Sequence, residues 1–177
     1  MDLMLLRVFQ RQVLYQCECA LHSAEQVNAA LQAQDIQGAF CGLQNLLNAA
    51  ANISKALWGQ KDQANVALVR TQLRESIGIA DNSPLKDVRM RNHYEHFDER
   101  IDRWWTESHT RNIADMNLGP AQSIAGLAPI ERFRSFDPAS GQLEFWGESF
   151  DVRAVIQEIQ RVLPKLREEA MKPHWDT

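Results

Sequence analysis

The sequence predicts an all-α fold: an antiparallel helical bundle with a small β-hairpin insertion and a C-terminal helix. Apolar residues recur every three or four positions through most of the chain, and this period fails only between about residues 109 and 147. The 177 residues are 45% hydrophobic and 24% charged, as in an ordinary globular domain. We therefore predict one domain over residues 1–177, with a bundle core at 1–108, a loop and hairpin at 109–147, and the last helix at 148–177.

The first two helices are predicted from long apolar stripes. One stripe covers residues 3–31 and is interrupted only at Gln10, and the second covers residues 36–57. The connection near Gln34 is only a few residues long. Two helices joined so closely are expected to pack antiparallel.

Three further helices are predicted along the chain. A shorter stripe over residues 66–77 marks the third helix. Ser83 precedes a proline, which is a helix-start signal, and the apolar spacing that follows predicts one helix running to about Ser108. The last helix should begin near Asp151 and be kinked or interrupted at Pro164.

The non-helical segment carries the signals of a short hairpin. Residues 132–134 and 143–145 alternate polar and apolar side chains, and a turn-forming run at 137–141 separates them. The alternation places Phe133, Leu143 and Phe145 on the covered face. We predict strand only between about residues 130 and 147, and no parallel sheet.

Composition and charge exclude several classes of protein. The net charge of −4 does not favour a general nucleic-acid binder, so any RNA contact would come from a local cluster of arginines. Cys17, Cys19 and Cys41 have no CxxC spacing and are predicted to be reduced packing thiols. The sequence shows neither a signal peptide nor a run of apolar residues that would span a membrane, and it predicts a soluble, cytoplasmic protein.

Charged and polar residues are concentrated at positions 91–100, on the helix predicted after Ser83. Ion pairs between residues four apart, such as Arg91 with Glu95, explain the charges as a solvated face. They do not explain Asn92 and His96, which are also four apart and therefore share one side of a helix. Neither residue is favoured as a surface helix former.

Arg91, Asn92 and His96 resemble the R-N-x-x-x-H form of the R-x(4–6)-H motif of the HEPN superfamily. The resemblance covers roughly residues 1–108. It implies an all-α bundle with the motif on a late helix, and a homodimer in which the motifs of both subunits meet in one cleft. It also implies a metal-independent endoribonuclease, such as a toxin or an anti-phage effector.

The resemblance assigns roles to the matched residues. His96 would be the general base or acid for attack of a ribose 2′-hydroxyl on the adjacent phosphate, because imidazole gains and loses a proton near neutral pH. Arg91 would hold the phosphate, and Asn92 would orient the backbone or the imidazole. We expect Glu95 and Arg100 to lie beside the substrate. No cofactor is implied, and the partners implied are a second copy, RNA and a cognate antitoxin.

Two alternatives stay open from the sequence. The first is a catalytically silent HEPN-like module that binds or scaffolds as a dimer. In either case the apolar bulk of Trp104 and Trp105 favours a two-fold dimer with the helix that carries Arg91 and His96 at or near the interface. The second is a metal site on the helix, because His93 and His96 are three apart and Glu99 follows three residues later. This spacing could align two imidazoles and a carboxylate for zinc.

Overall fold

The computed structural model describes residues 2–59 and 64–173 and is mainly helical. In the described residues, the α-helices are α1 (Leu3–Gln32), α2 (Ile36–Trp58), α3 (Ala64–Ile77), α4 (Arg89–Glu95), α5 (Phe97–Glu107) and α6 (Val152–Met171). The strands are β1 (Asn117–Leu118), β2 (Ser135–Asp137), β3 (Gln142–Phe145) and β4 (Glu148–Asp151). None of the helices in the described ranges combines the length and the apolar character needed to cross a membrane.

The two long helices predicted from the apolar stripes are confirmed. Asp35 caps the start of α2 by accepting a hydrogen bond from the backbone N–H of Gly38 at 2.9 Å. Contacts between α1 and α2 extend from Val27, beside Gly42, to a hydrogen bond between Gln16 and Asn52. A Cβ atom at Gly42 would lie 2.7 Å from Cγ2 of Val27. The close approach of the two helices therefore requires glycine at that position.

A buried polar network joins α1 to α3 and α6. Gln10, which interrupts the apolar stripe in the sequence, is fully buried and contacts both Arg7 (2.7 Å) and Ser76 (2.9 Å). Arg7 also forms an ion pair with Glu169 at 3.0 Å. These contacts satisfy the polar groups that burial removes from water. The helix α6 continues through Pro164, so the prediction of an interruption there is wrong.

The cysteines are all free thiols. Cys17 is fully buried in the core, and burial raises the pKa of its thiol to about 12. Cys19 is half-buried and Cys41 is exposed. The prediction of a packing role therefore applies to Cys17 and fails for Cys41.

The sheet is larger than the predicted hairpin. The hairpin and its turn are confirmed as β2 and β3, which pair Asp137 with Gln142. The first strand covers residues 135–137 instead of the predicted 132–134. The order of the strands is β1-β2-β3-β4, with β1 parallel to β2 and the other pairs antiparallel. Strands β1 and β4 lie outside residues 130–147, and β1 is parallel, so the predictions of strand limits and of no parallel pairing are wrong. Phe133, Leu143 and Phe145 are fully buried, as predicted.

The helix predicted over residues 83–108 is broken. A 3-10 turn covers Pro84–Lys86, α4 ends at Glu95, and α5 starts after His96, which has φ −102° and ψ 38°. Before the break, α4 buries Met90, His93 and Tyr94 in the core, whereas no residue of α5 is fully buried. After the break, Phe97 of α5 contacts the rings of Phe133 and Phe145.

Candidate functional site

The residues of the R-N-x-x-x-H motif lie on both sides of the helix break. Arg91 and Asn92 are on α4, and His96 is the junction residue. The backbone N–H of His96 donates to the carbonyl of Asn92 at 3.1 Å, and the N–H of Arg100 donates to the carbonyl of His96 at 3.1 Å. His96 is therefore the last residue bonded into α4 and the first residue bonded into α5, so the break lies at His96 itself.

Each charged member of the motif contacts a different carboxylate. Arg91 forms an ion pair with Glu95, as the spacing predicts. The imidazole of His96 is 52% exposed, and its Nδ1 lies 3.1 Å from Oε1 of Glu99. Asn92 is exposed and contributes its backbone carbonyl to His96. The structure therefore places His96 at the surface with one ring nitrogen held by Glu99.

His93 lies in a different environment from His96. Only 8% of its surface is exposed, and its ring is stacked on Phe145 with 4.8 Å between centroids. Arg100 Nε donates to its Nδ1 at 3.3 Å, and its Nε2 lies 3.4 Å from Oε1 of Glu148. The ladder of His93, His96 and Glu99 is not formed. In the parts of the chain that the structure describes, no cluster of three or more His, Cys, Asp or Glu side chains could hold a metal ion.

An open cavity of about 510 Å³ lies between α5 and the turn that joins β3 to β4. Its charged and aromatic lining consists of His93, Arg100, Arg103, Glu107, Trp146 and Glu148. The guanidinium carbons of Arg100 and Arg103 lie 5.8 Å and 5.3 Å from the centroid of the Trp146 ring. Of the two residues predicted to lie beside the substrate, Arg100 lines this cavity and Glu95 is paired with Arg91.

Trp146 is held in an unusual backbone conformation. It has φ 52°, and Gly147 has φ 81°, so both residues of the two-residue turn between β3 and β4 have positive φ. A tryptophan in this region costs about 1–2 kcal/mol relative to an ordinary conformation. The ring contacts Phe133 and Phe145, with centroids 5.7 Å and 5.6 Å away, and this packing offsets the strain.

A buried carboxylate fixes the loop that follows α5. Glu131 is 1% exposed and accepts hydrogen bonds from the hydroxyls of Ser108 (2.6 Å) and Thr110 and from the backbone N–H of Ala128 (2.9 Å). These donors lower the pKa of Glu131 to about 2. The cluster holds residues 108–110 against 128–131, next to Pro129 and Ile130 on the cavity wall.

Arg100 is the one cavity residue that was predicted to lie beside a substrate, and the residues on the opposite wall were not predicted. Trp146 and Glu148 come from the sheet, 46 and 48 residues after Arg100 by their numbers in the chain. The only local signal was the glycine after Trp146, which is typical of a tight turn. Comparisons of the chain with protein-family models, with curated proteins and with solved structures found no match.

Proposed function

We propose that this protein is a metal-independent endoribonuclease of the HEPN type, built on an antiparallel bundle and acting as a homodimer. The observation that carries the proposal is the geometry of His96. Its imidazole is exposed, and Glu99 contacts Nδ1, which leaves Nε2 to meet a substrate. A carboxylate that orients one ring nitrogen while the other faces solvent is a common arrangement for a general base.

The proposed reaction uses the ribose 2′-hydroxyl as the nucleophile. His96 Nε2 takes the proton as the 2′-oxygen attacks the adjacent phosphorus, and Glu99 stabilises the imidazolium that forms. The bond from phosphorus to the 5′-oxygen breaks, and that oxygen takes up a proton from solvent. The products are a 2′,3′-cyclic phosphate and a free 5′-hydroxyl. Because these residues supply the proton transfer, the reaction as proposed needs no metal.

Arg91 is the proposed phosphate ligand, but it is already paired with a carboxylate. The guanidinium is bound to Glu95, and its Nε is buried without a hydrogen-bond partner in the described residues. A phosphate would have to compete with Glu95 for the outer nitrogens. This ion pair favours the second candidate, a catalytically silent dimeric binding module in which Arg91 only stabilises α4.

The outer face of α5 supports the proposal of a homodimer. Ile101 and Trp105 are four residues apart on this face, and they remain 41% and 53% exposed. Trp104 faces inward and packs against the core. A second copy placed on this face would cover both exposed side chains.

The test is cleavage of a fluorescent single-stranded RNA in the presence of EDTA. We expect the wild type to cut with cyclic phosphate ends and His96→Ala to abolish cutting. Arg91→Ala should reduce cutting at least ~100-fold, the order that loss of one transition-state donor produces. His22→Ala is the matched control, because His22 also lies near a glutamate three residues later and is exposed.

The outcomes separate the two candidates. Cutting that His96→Ala abolishes and His22→Ala preserves supports the nuclease. RNA that stays intact with well-folded wild-type protein, or equal rates for the wild type and His96→Ala, contradicts it. Binding of RNA without cutting would instead favour the silent module.

A further inference from the structure

Two arginines of α5 share one aromatic ring in the cavity. Arg100 and Arg103 are three residues apart, and both guanidinium groups lie within 6 Å of the Trp146 centroid. The negative face of the indole attracts the cations and partly offsets their mutual repulsion. A pair of cations held at one place is a favourable site for an anion.

The two arginines use their Nε atoms within the protein. Arg103 Nε donates to Glu107 at 2.8 Å, and Arg100 Nε donates to His93 at 3.3 Å. One terminal nitrogen of Arg100 also lies 3.7 Å from Oε2 of Glu99. Nothing among the described residues binds the two terminal nitrogens of Arg103, whose side chain is 57% exposed. A guanidinium fixed through Nε presents these two nitrogens side by side, which matches two oxygens of a phosphate.

The carboxylates in the same cavity select among phosphates. Glu107 is bound to Arg103, and Glu148 lies 3.4 Å from His93 Nε2, so both stay close to any ligand. Their repulsion grows with the charge of the ligand. A phosphodiester carries one negative charge, whereas a phosphomonoester carries about 1.5 to 2 at neutral pH and free phosphate also carries more than one. The cavity therefore favours a diester in a nucleic-acid backbone.

We propose that Arg100 and Arg103, held on Trp146, bind a backbone phosphodiester of single-stranded RNA beside the cleavage site. The identity of the polymer rests on the proposed function. The position of Arg100 agrees with the proposed function, because its backbone N–H donates to the carbonyl of His96. The phosphate site therefore begins one helical turn beyond the proposed general base. The site would hold a phosphate that neighbours the reacting one and fix the register of the strand.

The experiment measures binding of a short fluorescent oligoribonucleotide by anisotropy at several salt concentrations. Its riboses carry 2′-O-methyl groups, so it cannot be cut. We expect Arg103→Gln to weaken binding at least ~10-fold, because it removes charge-assisted hydrogen bonds. The slope of log K against log salt should fall in magnitude by about 0.7, the value for one phosphate contact on a single strand. Arg103→Lys should keep the slope and lose part of the affinity.

The matched control is Arg167→Gln on α6. Arg167 has a side chain that is 57% exposed and is paired with a half-exposed glutamate, as Arg103 is. Arg167→Gln should leave both the affinity for RNA and the salt slope unchanged. Inorganic phosphate, added at constant ionic strength, should compete only weakly because of its second charge.

The results for binding and for cutting are independent. Equal salt slopes for Arg103→Gln and Arg167→Gln, or no binding by the wild type, would overturn the phosphodiester site even if natural RNA is cut. Binding that depends on Arg103 while natural RNA stays intact keeps the site and removes the catalytic proposal. Strong competition by inorganic phosphate would overturn the preference for a diester.

Discussion

Phe133 is the side chain whose removal should most disturb the candidate site. It is fully buried, and its ring contacts those of Phe97 (5.5 Å), Trp104 (6.3 Å), Phe145 (5.3 Å) and Trp146 (5.7 Å). It therefore joins α5 to the sheet. Phe133→Ala removes a fully buried ring and should lower the free energy of unfolding by about 3–5 kcal/mol. For a domain of this size that corresponds to a fall in Tm of roughly 6–20 °C.

The assay is thermal and urea unfolding followed by circular dichroism, with Phe133→Leu as the control. Leucine keeps most of the apolar volume, so its cost should stay below about 1.5 kcal/mol. We also expect Phe133→Ala to weaken RNA binding, because Trp146 loses a ring that supports it. A loss below 1 kcal/mol for Phe133→Ala, or equal losses for alanine and leucine, would refute the view that this ring fixes α5 on the sheet.

Three further predictions concern stability and assembly. The pKa of Glu131 is about 2 in the folded protein, against an ordinary value of 4.5. The stabilisation from this carboxylate is therefore complete above pH 4.5 and is lost as the pH falls towards 2. The difference in Tm between the wild type and Glu131→Gln should shrink over that range. Gly42→Ala should destabilise the protein by about 1–3 kcal/mol in urea unfolding, because the added methyl group meets Val27, and Val27→Ala should reduce this penalty. Light scattering at micromolar concentration should give a dimer for the wild type and a monomer for Trp105→Glu. The control, Ile36→Glu, changes an exposed residue outside the proposed interface and should stay a dimer. A wild-type monomer would contradict the proposed dimer.

The long helices could be predicted because a helix with one buried face has apolar residues at regular intervals in its sequence. In α1 and α2 the apolar residues recur along one face over many turns, and most of them meet the core at the predicted positions, although Ile36 is exposed. The turn of the β2–β3 hairpin was also predicted, because its residues act locally. Each of these elements depends on interactions between residues close together in the chain.

The helix break could not be predicted from the same pattern. Tyr94, Phe97 and Trp104 keep the helical spacing straight through His96, whereas Ile101, which was predicted on the same side, is 41% exposed. The spacing is kept because α5 still packs one side inwards, although against the sheet instead of the bundle. Periodicity reports which residues face inward and does not report which partner they face.

In the candidate site, contacts within one helix could be predicted from the sequence, and contacts between the helix and the sheet could not. The motif spacing singled out His96 and Arg91, and the contact of Arg91 with Glu95 follows from helix geometry. The contacts of His93 with Glu148 and of Arg103 with Trp146 join residues more than 40 positions apart. Such contacts are set by the packing of the sheet on α5, which local sequence signals do not encode.

The ion pair between Arg7 and Glu169 has a consequence for the synthesis of the protein on the ribosome. The two residues are separated by 162 positions, and Arg7 also donates to the backbone carbonyls of Glu169 and Pro173. During translation α1 emerges early with an arginine that has no carboxylate to meet until α6 has been made. The part of the α1 surface that α6 covers must therefore stay open to solvent or to a chaperone until α6 has been made. The polar contacts of Arg7 on α1 are complete only when α6 has packed against it.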